Sequence, residues 1–498
     1  MNRRRWSADL VTADRLNRTG DKNILFSSIF DLTVLFHGVA EKLVAEGHRV
    51  FWITTDQRWT DWLASRGIDR DNICELVYTR NEAVHPHSMA AIKEQIVGCE
   101  RRNDLTVNQL MLMDRFARVV PEVVANRYMY LYYRDIKNFL LSRRIDVVFA
   151  EPTNANELLT AMICRELGIP FLAPRDMRFP LGRLIFNSGY RADELIGGEG
   201  CGGAEDASRL LSEYKATRPT PYYFEKLKRS RVVTSSYVAR STRNRITRVA
   251  AGHRHGLTHH RLSSRARVLA GRVINGFYLR HLYRYDKLND IQERLAFYPL
   301  HVQPEASIDV LGPYVSDQLN LIKDIRRALP FNMTLLVKEH PNFLGLKGRR
   351  FFRELKQLPN VKLIRHDVSN FEVYKQASLV LTVSGTPAYE AALLGIPAIT
   401  FAPMYFGKLS SVHHCPDITG LKDLIQSTLR NNHRDIEHDI RAMAEMLAHS
   451  YDAYWTDPVF DRCVLDEANL TKLAVAFNDV VRQITTPAVK RMTGALIS

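Results

Sequence analysis

With 498 residues, 46% of them apolar and 25% charged, the chain is too long for one core and has an ordinary globular composition, so two or three domains are expected and a disordered or fibrous chain is excluded. The formal charge of +15 points to an anionic partner: nucleic acid, an acidic membrane surface or a phosphorylated substrate. The cysteines (Cys74, Cys99, Cys164, Cys201, Cys415, Cys463) show no CxxC spacing, which speaks against a zinc knuckle or a disulfide framework and fits a reducing, cytoplasmic compartment.

The basic start, Met1 to Trp6, is followed by no apolar block with a small-residue cleavage site. The apolar stretch Ile24 to Ala40 contains Asp31 and His37 and reads as a strand entering a helix, so any membrane contact is expected to be peripheral. Asn23 to Phe30 is of strand type, Asp31 is suited to cap a helix over Leu32 to Glu46, Gly47 ends it, and Arg49 to Thr54 is a second strand. This βαβ unit implies a parallel sheet. Residues 81–141 read as largely helical and carry no chemical role. A strand over Ile145 to Ala150, a helix through Leu167, a Gly168 stop and a strand over Ile169 to Ala173 repeat the pattern. Ligands of open parallel sheets sit beyond the carboxyl ends of strands, which puts Glu151, Asn154, Arg175 and Asp176 where a first-domain pocket is expected; Asn154 and Asp176 read equally as loop caps.

Gly197 to Gly203 neither follows a strand nor opens a helix, so it lacks the context of a phosphate loop. Arg240 to Arg284 holds no acidic residue and includes His253, His255, His259, His260 and His281. Its apolar spacing suits one or two basic amphipathic helices, serving as an inter-domain connector, as a contact to anionic lipid or a charged glycolipid acceptor, or as a nucleic-acid surface. The histidine spacing matches no zinc pattern.

A second α/β unit begins near Ala296. Its strands are expected at Phe297 to Val302, Met333 to Lys338, Val361 to Ile364, Leu379 to Val383 and Ala398 to Phe401, with helices at Asp317 to Leu329, Phe351 to Leu358, Phe371 to Gln376 and Ala388 to Leu394. The fold class is therefore α/β with two Rossmann-like domains. The first spans 1–285 and includes the basic connector at about 240–285, the second spans 286–450, and a helical tail over 451–498 packs back on the first domain. Leu473, Val475, Phe477 and Val480 are expected to form one buried stripe of the tail.

Two constellations carry chemistry. At the end of the Met333 strand, Lys338 and His340 share a face while Glu339 points away and Pro341 stops the ladder. Further on, Thr382 to Pro387 turns through Gly385 into a helix with Pro387 in its first turn. Such a start offers backbone N–H groups, the Ser384 and Thr386 hydroxyls and the helix dipole to an anion. A capping box would need Glu or Gln at Tyr389, so Glu390 is left to hydrogen-bond a ribose. His340, Lys338 and the helix start suit a leaving phosphate without calling for a metal ion.

Tyr298 to Ile308, Lys338-Glu339-His340-Pro341, Ser384-Gly385-Thr386, Glu390-Ala391 and Gly395-Ile396-Pro397 resemble the capsule-polysaccharide biosynthesis family, which includes bacterial Kdo transferases of the GT-B fold. The resemblance runs from about Ala296 to Phe401 and covers the first domain only by general architecture. It implies a glycosyltransferase of bacterial surface polysaccharide in which His340, Ser384, Gly385 and Thr386 hold the nucleotide phosphate and Glu390 the ribose. Lys338 and Glu305 complete the nucleotide-sugar site. Glu305 stands where relatives commonly have Asp, and His301 where they often have Gln. The catalytic carboxylate is expected on the first-domain side, as Glu151 or Asp176, and the donor is expected to be a CMP-linked acid sugar acting as co-substrate, with no resident cofactor. The expected partners are that donor, a glycolipid or oligosaccharide acceptor and an anionic membrane surface, with no nucleic acid. A UDP- or GDP-sugar transferase, an epimerase on the same fold and a non-catalytic assembly factor are the alternatives.

Overall fold

The computed structural model describes residues 21–78, 86–219, 262–340, 346–431 and 433–485. The first half builds β1 (Asn23–Ser27), α1 (Leu32–Ala45), β2 (Arg49–Thr54), α2 (Gln57–Ala64), β3 (Ile73–Glu75), α3 (Pro86–Glu100), α4 (Val107–Met113), α5 (Glu122–Ser142), β4 (Val147–Ala150), α6 (Ala155–Leu167), β5 (Phe171–Asp176), β6 (Arg183–Ser188), β7 (Leu195–Ile196), α7 (Ala204–Thr217) and α8 (Leu262–Phe277). The second half builds β8 (Arg294–Pro299), α9 (Ala306–Asp309), α10 (Gln318–Ala328), β9 (Met333–Lys338), α11 (Arg349–Lys356), β10 (Val361–Ile364), α12 (Asn370–Tyr374), β11 (Ala377–Thr382), α13 (Thr386–Leu393), β12 (Ala398–Thr400), β13 (Val412–His414), α14 (Leu421–Arg430), α15 (Ile436–Ala448), β14 (Ser450–Asp452) and α16 (Glu467–Thr485).

Two sheets result. The first runs β14-β6-β5-β4-β1-β2-β3, parallel from β5 to β3, with β6 and β14 added antiparallel at one side and β7 paired to β6. The second runs β10-β9-β8-β11-β12-β13 and is parallel throughout. Counted from its own first strand, the second sheet has the order 3-2-1-4-5-6 of a doubly wound dinucleotide fold, whose strand order reverses between strands one and four. Here those strands are β8 and β11. The first sheet reverses likewise between β1 and β4. The expected α/β class with two Rossmann-like sheets and a helical C-terminal region is what the chain adopts.

The central strands β1, β4 and β9 are buried along their whole length, as strands of a sheet covered on both faces are. Gly168, at φ +64°, supplies the left-handed residue that ends α6. The tail helix α16 packs against α1, placing Leu473, Phe477 and Val480 in the first-domain core beside Phe26, Phe36 and Phe149. Val475 departs from the expected stripe and is 63% exposed, because two residues advance a helix by more than half a turn; Ala476 and Val481 take the buried places. Asp31 precedes α1 as expected, but its side chain makes no capping hydrogen bond. Of the basic segment, α8 is described, whereas His253, His255, His259 and His260 lie outside the described residues.

The domains meet where α7 packs on α15 and along a seam of hydrogen bonds. Tyr405 donates its hydroxyl to the Met177 carbonyl, and Tyr389, on α13, donates to the Phe179 carbonyl at 2.9 Å. The Tyr405 N–H donates to the Ala192 carbonyl at 2.6 Å. Between the two clasped carbonyls sits Arg178, at φ +69°, a left-handed conformation costly for a side chain of this size.

Candidate functional site

Both switch points carry a strand, a turn and a helix, but the two helix starts differ electrically. At α6 the donors are taken: Glu157 Oε2 accepts from the Thr153 and Asn154 N–H groups at 2.9 and 3.1 Å, and Asp114 Oδ2 accepts from the Ala155 N–H at 2.9 Å. Burial pushes Glu157 up to about 8 and also raises Asp114. Asn154, read as pocket residue or cap, gives its side-chain N–H to Thr153 Oγ1 at 3.1 Å. Those three N–H groups are thus already bonded within the first domain.

At α13 the donors are open. The N–H groups of Ser384, Gly385 and Thr386 bond to nothing among the described residues. The Ser384 hydroxyl does not face the cleft as expected; it donates to the Ser307 carbonyl and ties the turn to α9. What the turn presents is backbone, together with the Thr386 hydroxyl, which is suited to anion binding at a helix start. A Cβ on Gly385 would lie 2.9 Å from Thr382 Oγ1, 3.0 Å from Pro387 Cδ and 3.5 Å from His301 Cε1, so the turn is packed hard against its neighbours.

Strand order gathers the other second-domain residues here. β8 delivers His301 beside this turn, where its Nε2 accepts from the Val383 N–H at 3.1 Å. β9 delivers His340, whose charge bears on His301, as does that of Lys347. Lys338 is buried and spent on α12, donating to the Val368 carbonyl at 2.6 Å and to Asn370 Oδ1. Glu390 is not a loose carboxylate: its Oε2 accepts from the Tyr374 hydroxyl at 2.7 Å, and Asn370 bonds it as well. Lys338, Asn370, Glu390 and Tyr374 thus form one network behind the turn. Burial raises the Glu390 carboxyl above the usual range, against the pull of Tyr374, Asn370, Lys338 and Arg178.

Glu305 precedes α9 and is raised by burial, with the Ser307 hydrogen bond and the charges of Arg115 and Arg178 opposing. Those two arginines belong to the first domain, so Glu305 faces across the cleft. On the opposite side Glu151 Oε1 accepts from Trp455 Nε1 at 3.0 Å, and burial lifts its pKa. Asp176, at the end of β5, lies 3.5 Å from Arg178 Nη1 and is likewise raised by burial. The charge of Arg178 bears most directly on Asp176 and, after Arg175, Arg115 and Lys338 respectively, also favours the ionised forms of Glu151, Glu305 and Glu390. Arg115, Arg178 and Lys347 were not expected from the sequence, and no local pattern marks them. His301 was visible there only as a departure from a motif. A separate cavity of about 360 Å³, lined by Asp31, Val34, Pro458, Val459, Arg462 and Leu465, opens on the first domain.

The model of the family described as capsule polysaccharide biosynthesis protein matches residues 248–411, the stretch that holds β8 to β12 and every second-domain residue discussed above. The match to the capsule polysaccharide biosynthesis family is confined to that segment. No curated protein matches the sequence significantly. Among solved structures the chain is similar to Thermosulfurimonas dismutans KpsC, beta Kdo 2,7 transferase, with 15% identity over 62% of this chain and 80% of that one and a TM-score of 0.30. It is similar to the Methanocaldococcus jannaschii UDP-GlcNAc 2-epimerase solved with UDP-GlcNAc and UDP, with 11% identity over 86% and 98% and a TM-score of 0.28. It is also similar to CalG4, the calicheamicin glycosyltransferase, with 12% identity over 94% and 100% and a TM-score of 0.28. Likenesses of this size assign no residue and no substrate. The chemistry of the capsule-family segment has to be argued from its own switch point.

Proposed function

We propose that the chain is a GT-B glycosyltransferase of bacterial surface polysaccharide biosynthesis, of capsular or lipopolysaccharide type, with a CMP-activated acid sugar such as CMP-Kdo as donor. The observation that carries the reading is the open helix start at Ser384 to Thr386, set at the switch point of a capsule-family domain while the matching start in the first domain is closed by carboxylates. In this reading the N–H groups of the turn and His340 receive the phosphate that departs with its nucleotide, and the dipole of α13 stabilises the developing charge. Glu390 and Lys338 brace the turn from behind. Glu151 or Asp176, each raised by burial, serves as the base that takes the proton of the acceptor hydroxyl. The donor is a co-substrate and no resident cofactor is invoked. The acceptor, a glycolipid or oligosaccharide, enters from the first domain. The choice of cytidine rests on the motif resemblance alone.

No described helix is long and apolar enough to cross a membrane. In this reading contact with the anionic inner-membrane surface falls to the basic helix α8.

A thermal-unfolding screen with CMP, UDP and GDP tests the proposal. CMP at a hundredfold excess over its Kd stabilises a binding protein by about 2.7 kcal/mol. His340→Ala is expected to lower turnover about a hundredfold while the protein stays folded. Stabilisation by UDP or GDP but not CMP moves the assignment to another sugar nucleotide, and no response to any nucleotide leaves an assembly factor without catalysis.

A further inference from the structure

After β8 the chain leaves the sheet through Leu300 and His301, directly beside the turn that follows β11. His301 is held from two sides. Gln318, buried at the start of α10, accepts from its backbone N–H at 2.7 Å and donates to its carbonyl at 3.1 Å. Its imidazole Nε2 accepts from the Val383 N–H at 3.1 Å and lies 2.8 Å from Thr382 Oγ1. A backbone N–H only donates, so Nε2 carries no proton. Burial keeps the ring neutral, its pKa pushed down to about 3, with the charges of His340 and Lys347 acting in the same direction. The single ring proton therefore sits on Nδ1. Nδ1 has no partner among the described residues. Cε1, the atom between the two nitrogens, is 3.5 Å from the position a Cβ would take on Gly385, so this edge of the ring borders the turn with the open N–H groups.

We propose that His301 is a neutral hydrogen-bond donor to a phosphate oxygen of the nucleotide, offering Nδ1–H beside the N–H groups of Ser384 to Thr386. The inference rests on the nucleotide reading of that turn and adds a residue that touches the ligand. A histidine whose only task was to brace Val383 would need Nε2 alone. The Gln318 clamp fixes the backbone, and the Nε2 contacts fix both ring orientation and tautomer, which is the preorganisation a transition-state donor requires. Being neutral, the donor offers its proton without bringing a charge of its own to the turn.

The test uses the full chain with nitrogen-labelled histidine and CMP as the probe. The His301 resonances are identified as those missing from His301→Gln. In the free protein they are expected to show the Nδ1-protonated tautomer, and saturating CMP is expected to shift Nδ1 far more than Nε2. His301→Ala is expected to weaken CMP binding at least about tenfold, the effect of one lost hydrogen bond to a charged group. An Nε2-protonated ring, or an Nδ1 resonance unmoved while CMP stabilises the protein, overturns the role of His301 and leaves the nucleotide site standing. If CMP neither binds nor stabilises the wild-type chain, the nucleotide reading fails and this inference falls with it. The measurement on the wild-type protein decides the matter even if His301→Ala does not fold.

Discussion

Gly385→Ala probes the core of the site with one carbon. The residue has φ −146° and ψ 151°, an extended conformation open to any amino acid, so no backbone penalty accompanies the change and the whole effect is steric. The added Cβ meets Thr382 Oγ1 at 2.9 Å and Pro387 Cδ at 3.0 Å, with His301 Cε1 at 3.5 Å behind them. None of the three yields easily. Thr382 ends a buried strand, Pro387 is a ring, and His301 is held by Gln318 and Val383. The turn itself must move by several tenths of an ångström, an overpacking strain of about 1–3 kcal/mol. The same movement misaims the N–H groups at the phosphate, and loss of one charge-assisted hydrogen bond is worth about 1.5–3 kcal/mol, or roughly ten- to a hundredfold in CMP affinity. Urea denaturation and calorimetric titration with CMP read the two effects separately. A double variant with Thr382→Ala removes the tightest contact and is expected to recover part of both losses, a coupling that a mutant cycle measures. Wild-type stability together with wild-type CMP affinity in Gly385→Ala would refute the close packing of the turn and its role as the phosphate cradle.

Two further expectations follow from charge and exposure. Burial lowers Lys347 from 10.5 to about 8, against the opposing pull of Glu339, Asp317 and Asp309, so its positive charge beside His301 fades as pH rises through that value. CMP affinity is expected to fall between pH 7 and 9 and to lose this dependence in Lys347→Met, whereas stability changes with the opposite sign: the unfolded chain holds the proton up to its ordinary pKa, so between about 8 and 10.5 folding is favoured by rising pH. A flat titration of CMP affinity in the wild-type protein would remove Lys347 from the site. On α8, Val273, Ile274 and Phe277 are exposed by 59%, 51% and 60%, one stripe at helical spacing on a segment without acidic residues. Changing all three to Ser is expected to abolish sedimentation with vesicles rich in phosphatidylglycerol and leave CMP binding intact; unchanged sedimentation would return α8 to the role of a connector.

Much of the scaffold is legible because periodicity is a local signal. A strand buried on both faces reads as a continuous apolar run, as Met333 to Lys338 does, and a helix on a sheet shows its stripe. What periodicity does not carry is which strands become neighbours. His301 and Ser384 stand far apart in sequence, and they meet only because β11 pairs with β8 and not with β10, which precedes it in the chain. The same holds for side-chain partners. The local argument that Glu390 does no capping was sound, yet it gave no sign of Tyr374, a residue of another helix that donates to the carboxylate. Ser384 was read as facing the cleft because nothing nearby in sequence competes for its hydroxyl; the Ser307 carbonyl does. Asp31 has the right residue type before a helix, but its αR backbone, at φ −72° and ψ −13°, departs from the extended conformation in which such a side chain reaches back to the first-turn N–H groups.

The seam between the domains gives these pieces a common logic. Tyr389 lies on α13, the helix whose start is open, and its hydroxyl holds the carbonyl of Phe179; Tyr405 holds Met177 on the other side of Arg178. Arg178 therefore keeps its left-handed backbone under restraint from the second domain while its guanidinium acts on Asp176 and Glu151 of the first and on Glu305 and Glu390 of the second. Strain of this kind persists only where the surroundings over-determine it. The open turn and the acidic wall opposite are thus linked, because the helix that starts at the turn also holds, through Tyr389, the carbonyl of the residue next to the arginine that lies 3.5 Å from Asp176.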